Sequence, residues 1–369
     1  MAGSIRQSSR RTPRSASNSF SPASAFLRQY STSATLPDPD AEGQEVGDYV
    51  LGREIGFGGF STVREALTLS SSGGARVQRA VKIVRKRVTG KEDVENEKLQ
   101  SEFEREVELW RCLSHAHILP LDAVYITDFA TFAFMPLHTG GTLFDAVRAN
   151  RAGLPAPQAR RYAYQLASAV RYLHEDMRVV HRDLKLENCL LDLGGEDAGA
   201  VGGRLLLCDF GLADYMPDHS SLAAAAEADG GPAEHIIGPS RTSTNWAPAG
   251  SLQYASPELL RATAGVLSPA TDVWAYGVIL YALVTGSLPF QHAFLPKLKT
   301  MILDGVWDRS ILEGKVEGER DLQGVMEVVD GCLEMEAQDR WDVRRVLEAE
   351  WLEVEVVDED HGVGGWTAG

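Results

Sequence analysis

His181-Arg182-Asp183-Leu184-Lys185-Leu186-Glu187-Asn188, with Asp209-Phe210-Gly211 a short span later, decides the reading of this chain. These residues bring two carboxylates, a lysine and an amide into two short segments. Groups of these types can bind magnesium, hold the phosphates of a nucleotide and orient a hydroxyl for attack.

The chain's 369 residues, 44% of them hydrophobic, exceed one average domain and supply a large core. A net charge of −16 argues against a general nucleic-acid binder and suits basic partners. Cys112, Cys189, Cys208 and Cys332 form no C-x-x-C pair, which disfavours zinc and fits free thiols in a reducing compartment. The most apolar run, residues 273–286, is short of the roughly 20 residues a transmembrane span needs. It reads as a buried helix, so no transmembrane segment is expected.

Residues 1–35 lack acids, carry Arg6, Arg10, Arg11, Arg14 and Arg28, are rich in serine, and read as disordered. Two readings stand: a basic, phosphorylatable tail, or an organellar transit peptide with a processing-like site at Arg28-Gln29-Tyr30-Ser31. The protein is accordingly expected in the cytoplasm or nucleus, or in mitochondria if the transit reading holds. Residues 36–48 look like a linker that completes a tail over 1–48. Strand patterns follow at 49–55, 62–67 and 79–84, then a charged helix over 92–113 with Phe103, Val107 and Trp110 near a helical repeat. More strands run through Tyr125 and over 132–135. From Leu143 the pattern is helical, and 157–176 is amphipathic, with Tyr164, Leu166, Ala167, Val170 and Leu173 near one stripe. The expectation is an α+β fold over 49–352: a β-rich lobe at 49–137, a helical lobe at 138–352 and a cleft between them. Segments 192–203 and 214–248 look inserted, and 353–369 is an acidic tail.

The octet and Asp-Phe-Gly match the H-R-D-L-x-x-x-N and D-F-G signature, so the chain resembles the eukaryotic protein kinases. The match demands agreement role by role and is very specific. Among serine/threonine kinases, Lys185-Leu186-Glu187-Asn188 resembles the K-P-E-N of the calcium/calmodulin- and AMP-kinase-like branches. The resemblance implies ATP and Mg²⁺ as cofactors and protein substrates as partners, with no nucleic acid. Asp183 would orient the substrate hydroxyl, Lys185 would stabilise charge on the transferred group, and Asn188 and Asp209 would hold the metal. His181 would be structural. Ser251 in Gly250-Ser251-Leu252 would bridge Asp183 and Lys185.

Gly56-Phe57-Gly58-Gly59-Phe60-Ser61-Thr62-Val63 is alone weak, since a glycine-rich hairpin would look the same. Its place before the Ala80-Val81-Lys82-Ile83 strand fits the kinase phosphate loop rather than a Rossmann turn, which would lead into a helix. The implied nucleotide pocket is Ile55, Gly56, Gly58, Ser61, Val63, Ala80, Lys82, Met135, the Pro136 carbonyl, the His138 N–H, Leu190 and Cys208. Glu102, Glu104, Glu106 and Glu108 compete as the partner of Lys82, and the family pattern selects Glu106. Thr142 stands where many basophilic kinases carry an acid, and Glu187 could still favour a basic residue near the target hydroxyl. Asp272 would anchor the catalytic loop, and Arg340 would pair with Glu258 of Ser256-Pro257-Glu258. Arg182 invites a regulatory phosphate, but the usual acceptor position is Ala247, which leaves Thr242, Ser243 and Thr244 beside Arg241. The competing class is a pseudokinase or scaffold, and intact Lys82, Asp183, Asn188 and Asp209 argue against it. A small-molecule kinase of related fold would rarely carry the full Ser-Pro-Glu segment.

Overall fold

The computed structural model describes residues 38–69, 74, 76–88, 90–194, 203–216, 251–262 and 267–353. The basic tail, the acidic tail beyond Glu353, Thr242, Ser243, Thr244 and most of both inserted segments lie outside those residues. The chain divides after Ala41. Before that point the described residues form a turn, closed by the Ala41 N–H donating to the Asp38 carbonyl at 2.9 Å. All the described strands and helices belong to the unit from Glu42 onward.

That unit opens with an antiparallel sheet. Its strands are β1 (Glu45–Val46), β2 (Tyr49–Phe57), β3 (Ser61–Leu69), β4 (Arg76–Arg85), β5 (Ala123–Ile126) and β6 (Ala130–Pro136), in the order β1-β2-β3-β4-β6-β5. Strand β1 lies inside the stretch expected to be linker and pairs with Tyr49 and Val50. Strand β4 is central, paired from end to end with β3 and, over Arg79–Arg85, with β6. Alternation along β4 explains where its lysine points. Val81 and Ile83 face a small core with Leu51, Ala66, Phe132 and Phe134. Ala80 and Val84 face the opposite way, into the larger core, and Lys82 shares their side of the strand.

Helix α1 (Asp93–Trp110) begins with a reciprocal capping box between Glu92 and Glu95 and has Asp93 and Glu95 in its first turn, where the helix dipole favours anions. Its buried stripe is Asn96, Gln100, Phe103, Val107 and Trp110, and Glu106 lies on that same face. The Gln100 amide donates to the Arg85 carbonyl at 3.0 Å, fixing the helix to the end of β4.

The helical lobe follows. Helix α2 (Leu143–Ala149) is capped by Thr142. Helix α3 (Ala156–Arg171) continues as a π-helical turn over Tyr172–Asp176. Its buried stripe includes Tyr162, Ala163, Leu166, Ala167 and Val170, whereas Tyr164 is exposed. Tyr164, expected on or near the stripe, is exposed because at about 100° per residue it falls outside the arc centred on Tyr162, Ala163, Leu166 and Val170. Two short ribbons, β7 (Val179–Val180) with β10 (Asp214–Tyr215) and β8 (Cys189–Asp192) with β9 (Arg204–Leu207), bracket the 181–188 and 209–211 segments. The segment expected as an insertion from Asp214 therefore begins as a strand, because Asp214 and Tyr215 find partners at Val180 and Val179. Likewise Asp192, expected to start the other insertion, ends β8 opposite Arg204.

Helices α4 (Pro257–Arg261), α5 (Pro269–Thr285), α6 (Leu295–Leu303), α7 (Arg309–Gly318), α8 (Val325–Cys332) and α9 (Val343–Leu347) complete the lobe. Helix α5 is the apolar run singled out in the sequence, and it is buried on every side from Thr271 to Thr285. Ser268 caps it, Pro269 opens it and Gly286, at φ 78°, closes it. Gly277 lets α8 lie against it, since a Cβ there would come within 2.6 Å of the Cys332 Cβ. No helix among the described residues is long and apolar enough to cross a membrane. The expected α+β arrangement of a β-rich lobe and a helical lobe is what the chain forms.

Candidate active site

Lys82 and α1 meet across the face of the sheet that carries Ala80 and Val84. The Lys82 Nζ donates to the Glu106 Oε1 at 2.7 Å and to the Asp209 Oδ1 at 3.3 Å. Burial alone would lower the lysine's pKa, but the carboxylates of Glu106 and Asp209 outweigh it and raise it above the ordinary range, so the amine stays charged. The Phe103 ring, one turn before Glu106, lies 5.5 Å from the ammonium. Of the four competing glutamates, Glu106 is the one brought to Lys82. Phe103 was not singled out for this role, although its position three residues before Glu106 on the same helical face was the available signal.

The loop over 181–188 hangs from α5. Asp272, only 1% exposed, accepts from the His181 N–H and the Arg182 N–H, both at 2.8 Å. His174 Nε2 lies 2.9 Å from the same carboxylate, a partner missed in the sequence. Burial would raise Asp272's pKa, yet the His174 contact and the bond from the His181 N–H keep it below the usual carboxylate value. Arg182 sits at φ 68°, left-handed and costly for a residue with a Cβ, which the Asp272 clamp holds in place.

Beyond that turn, Lys185 Nζ reaches the Asp183 Oδ2 at 2.6 Å and the Ser251 Oγ at 3.4 Å, and the Ser251 hydroxyl donates to the Asp183 Oδ1 at 3.3 Å. Asn188 spends its amide N–H on the Asp183 carbonyl and carboxylate, at 2.9 and 3.1 Å. Its amide oxygen is then available as a ligand. The exposed Asp209 carboxylate, in a residue also at φ 66°, holds Lys82 through one oxygen. An amide and a carboxylate oxygen are the hard donors that Mg²⁺ takes.

Phe210 is buried, with its ring centroid 6.3 Å from Trp110 of α1 and 5.2 Å from His181 of the loop. His181 Nε2 also contacts the Cys208 carbonyl at 3.3 Å. Burial pushes the Cys208 thiol up to about 12. Ala80 pairs with Met135 and Arg79 with Pro136, which puts the expected hinge beside the lysine strand. The His138 ring packs 3.5 Å from Asp192, which also binds Arg204 at 2.9 Å. That link between hinge and β8–β9 ribbon had no sequence signal. Leu190 stands in β8, bridged to Thr142. Gly56, Gly58, Ser61 and Val63 span the β2–β3 turn, where the Gly58 N–H donates to the Ser61 carbonyl at 2.7 Å, and Ile55 is exposed just before it.

Three further placements concern residues singled out in the sequence. The Thr142 N–H and hydroxyl both donate to Asp145 Oδ2, at 3.1 and 2.9 Å, so this threonine serves as a helix cap. Glu187 is exposed, and after burial its charge is the main reason the Tyr254 phenol is pushed up. Arg340, with a fully buried side chain, grips Glu258 with two bonds of 2.7 and 3.0 Å.

Residues 49–352 match the protein kinase domain family. A carbon catabolite-derepressing protein kinase of Candida glabrata is 30% identical over 321 residues, which cover 86% of this chain and 44% of the relative. The serine/threonine protein kinase OSK3 of Oryza sativa subsp. indica is 32% identical over 309 residues, 83% of this chain and 50% of its own. A carbon catabolite-derepressing protein kinase of Saccharomyces cerevisiae is 32% identical over 282 residues. The chain thus spans about half the length, or less, of these relatives.

Proposed function

The chain belongs to the protein kinase family, and from that premise we propose that it transfers the γ-phosphoryl group of ATP to serine and threonine hydroxyls of proteins. The observation that carries the proposal is the joint engagement of Asp183 by Lys185 and Ser251, together with the Lys82–Glu106 pair. Asp183 orients the incoming hydroxyl and takes its proton. Lys185, held within reach of both Asp183 and Ser251, offsets charge on the transferred group. Lys82 holds the α- and β-phosphates, and its pair with Glu106 sets its position. Asn188 and Asp209 would hold Mg²⁺, which when bound neutralises the phosphate charge. The glycine-rich turn and the hinge at Pro136 and His138 hold the nucleotide. Catalysis is mostly positioning and charge stabilisation.

Transfer of radiolabelled phosphate from MgATP to generic protein substrates tests this. Wild type labels them and Asp183→Asn does not; equal background from both would overturn the proposal. Four free thiols suit the cytoplasm or nucleus, with mitochondria the alternative through residues 1–35. Imaging of full-length and Δ1–35 fusions separates the two. Phosphorylation within 242–244, beside Arg241, remains the proposed route of control. Mass spectrometry of the active protein checks it, and full activity with those three residues unmodified would exclude it.

A further inference from the structure

The β2–β3 turn carries two aromatic residues, and they are treated differently. Phe57 is 85% exposed. Phe60 instead lies beneath an ammonium, with Lys91 Nζ 4.5 Å from its ring centroid. Lys91 is not part of the turn. It stands in the connection from β4 to α1, two residues before the helix begins.

That connection is firmly anchored. The Lys91 N–H donates to the Val88 carbonyl at 3.2 Å. Buried Asn96 accepts from the Val88 N–H at 3.0 Å and donates to the Lys91 carbonyl at 3.4 Å. Glu95, whose other oxygen caps the helix through the Glu92 N–H, lies 3.8 Å from the Lys91 ammonium. As a result the Lys91 side chain is only 24% exposed, although a lysine here could reach open solvent.

We propose that Lys91 and Phe60 form a clasp that holds the glycine-rich turn down over bound nucleotide and so sets how long the nucleotide is retained. The inference rests on the nucleotide-binding reading above. The turn must lift for nucleotide to enter or leave, and lifting moves the Phe60 ring away from the ammonium. The fixed half of the clasp is tied through Asn96 and Glu95 to α1, the helix that also delivers Glu106 to Lys82. Retention and the Lys82–Glu106 pair therefore share one support. Lys91 is a positioning residue, since it acts on the nucleotide through Phe60.

The test uses the full chain and four variants: Lys91→Ala, Lys91→Arg, Phe60→Leu and the Lys91→Ala/Phe60→Leu double. Release of a fluorescent ADP is followed by stopped flow, with KM for ATP and kcat measured alongside. An exposed cation–π contact predicts that Lys91→Ala and Phe60→Leu each speed release and raise KM about two- to fivefold. kcat should change less than KM, and melting temperatures should stay together. Arginine retains the cation and should restore wild-type release. The double variant should equal the single ones, because both remove one contact. Unchanged release in Lys91→Ala, or additive effects in the double, would overturn the clasp. A wild type that binds no nucleotide would instead overturn the proposed function and the clasp with it.

Discussion

Replacing Asp272 with Asn tests how the catalytic loop is held. The aspartate offers one oxygen to the Arg182 N–H and the other to the His181 N–H and His174. Asparagine offers a single oxygen, and its amide N–H₂ must then face a backbone donor. One buried, charge-assisted bond is lost, worth about 1.5–3 kcal/mol, and the surviving bond weakens to a neutral one, worth about 1 kcal/mol less. The expected loss is about 3 kcal/mol in urea unfolding, with Tm lower by about 5 °C for a domain of this size. The loop should move as well, because Arg182 at φ 68° is held against its preference. Displacing Asp183 by about 1 Å costs on the order of 100-fold in rate. We expect kcat to fall by that factor while KM for ATP changes less than twofold, since Lys82 and the hinge strand stand on the other lobe. The pH dependence adds a check. A carboxyl with a depressed pKa stabilises the fold above its unfolded value, near 4, and loses that contribution as pH falls through the folded value. Asparagine has nothing to titrate, so wild type and variant should converge in acid. A variant with unaltered kcat and Tm would refute the reasoning.

Arg340→Met should cost about 3 kcal/mol by leaving the largely buried Glu258 carboxylate without its cation. Arg340→Met/Glu258→Leu should recover most of this, and a double variant no more stable than the single would count against the pair. Ser251→Ala should lower kcat about 10- to 100-fold by removing a hydroxyl bonded to a charged partner, whereas Ser251→Thr keeps the hydroxyl and should stay within about threefold of wild type. Steady-state kinetics decide this, and an alanine variant at wild-type rate would exclude the role. Cys208, with its thiol pushed up to about 12, should react slowly with iodoacetamide at pH 7. Its rate should rise about tenfold per pH unit up to pH 10, since the thiolate is the nucleophile, and MgATP should block it. Labelling indifferent to pH and to ATP would overturn this placement.

Where residues act through local spacing, the fold and site were readable in advance. Val81 and Ile83 around Lys82 signal a buried strand. The choice of Glu106 comes from the family pattern, and in the fold Glu106 shares the buried face of Phe103, Val107 and Trp110 while Glu104 and Glu108 are exposed. Distant pairings outside the family signature were not readable. His138 meets Asp192 only because the hinge and the β8–β9 ribbon fold together, and no local pattern announces such a contact. His174 likewise becomes a partner of Asp272 only after α3 and α5 pack. Strand β1 was invisible because two residues, Glu45 and Val46, have no periodicity of their own and become a strand by borrowing β2.

That borrowed strand bears on where this domain can be cut. The family match starts at Tyr49, but Leu51 donates its N–H to the Gln44 carbonyl and accepts from the Gly43 N–H at its own carbonyl, at 2.9 and 2.8 Å. Val46 also fills the small core beside Leu51 and Ala66. A recombinant domain begun at Tyr49 would bare the margin of β2 and a patch of apolar surface together, the combination that templates strand addition between molecules. Versions begun upstream of Gly43 should remain monodisperse at concentrations where the shorter one precipitates.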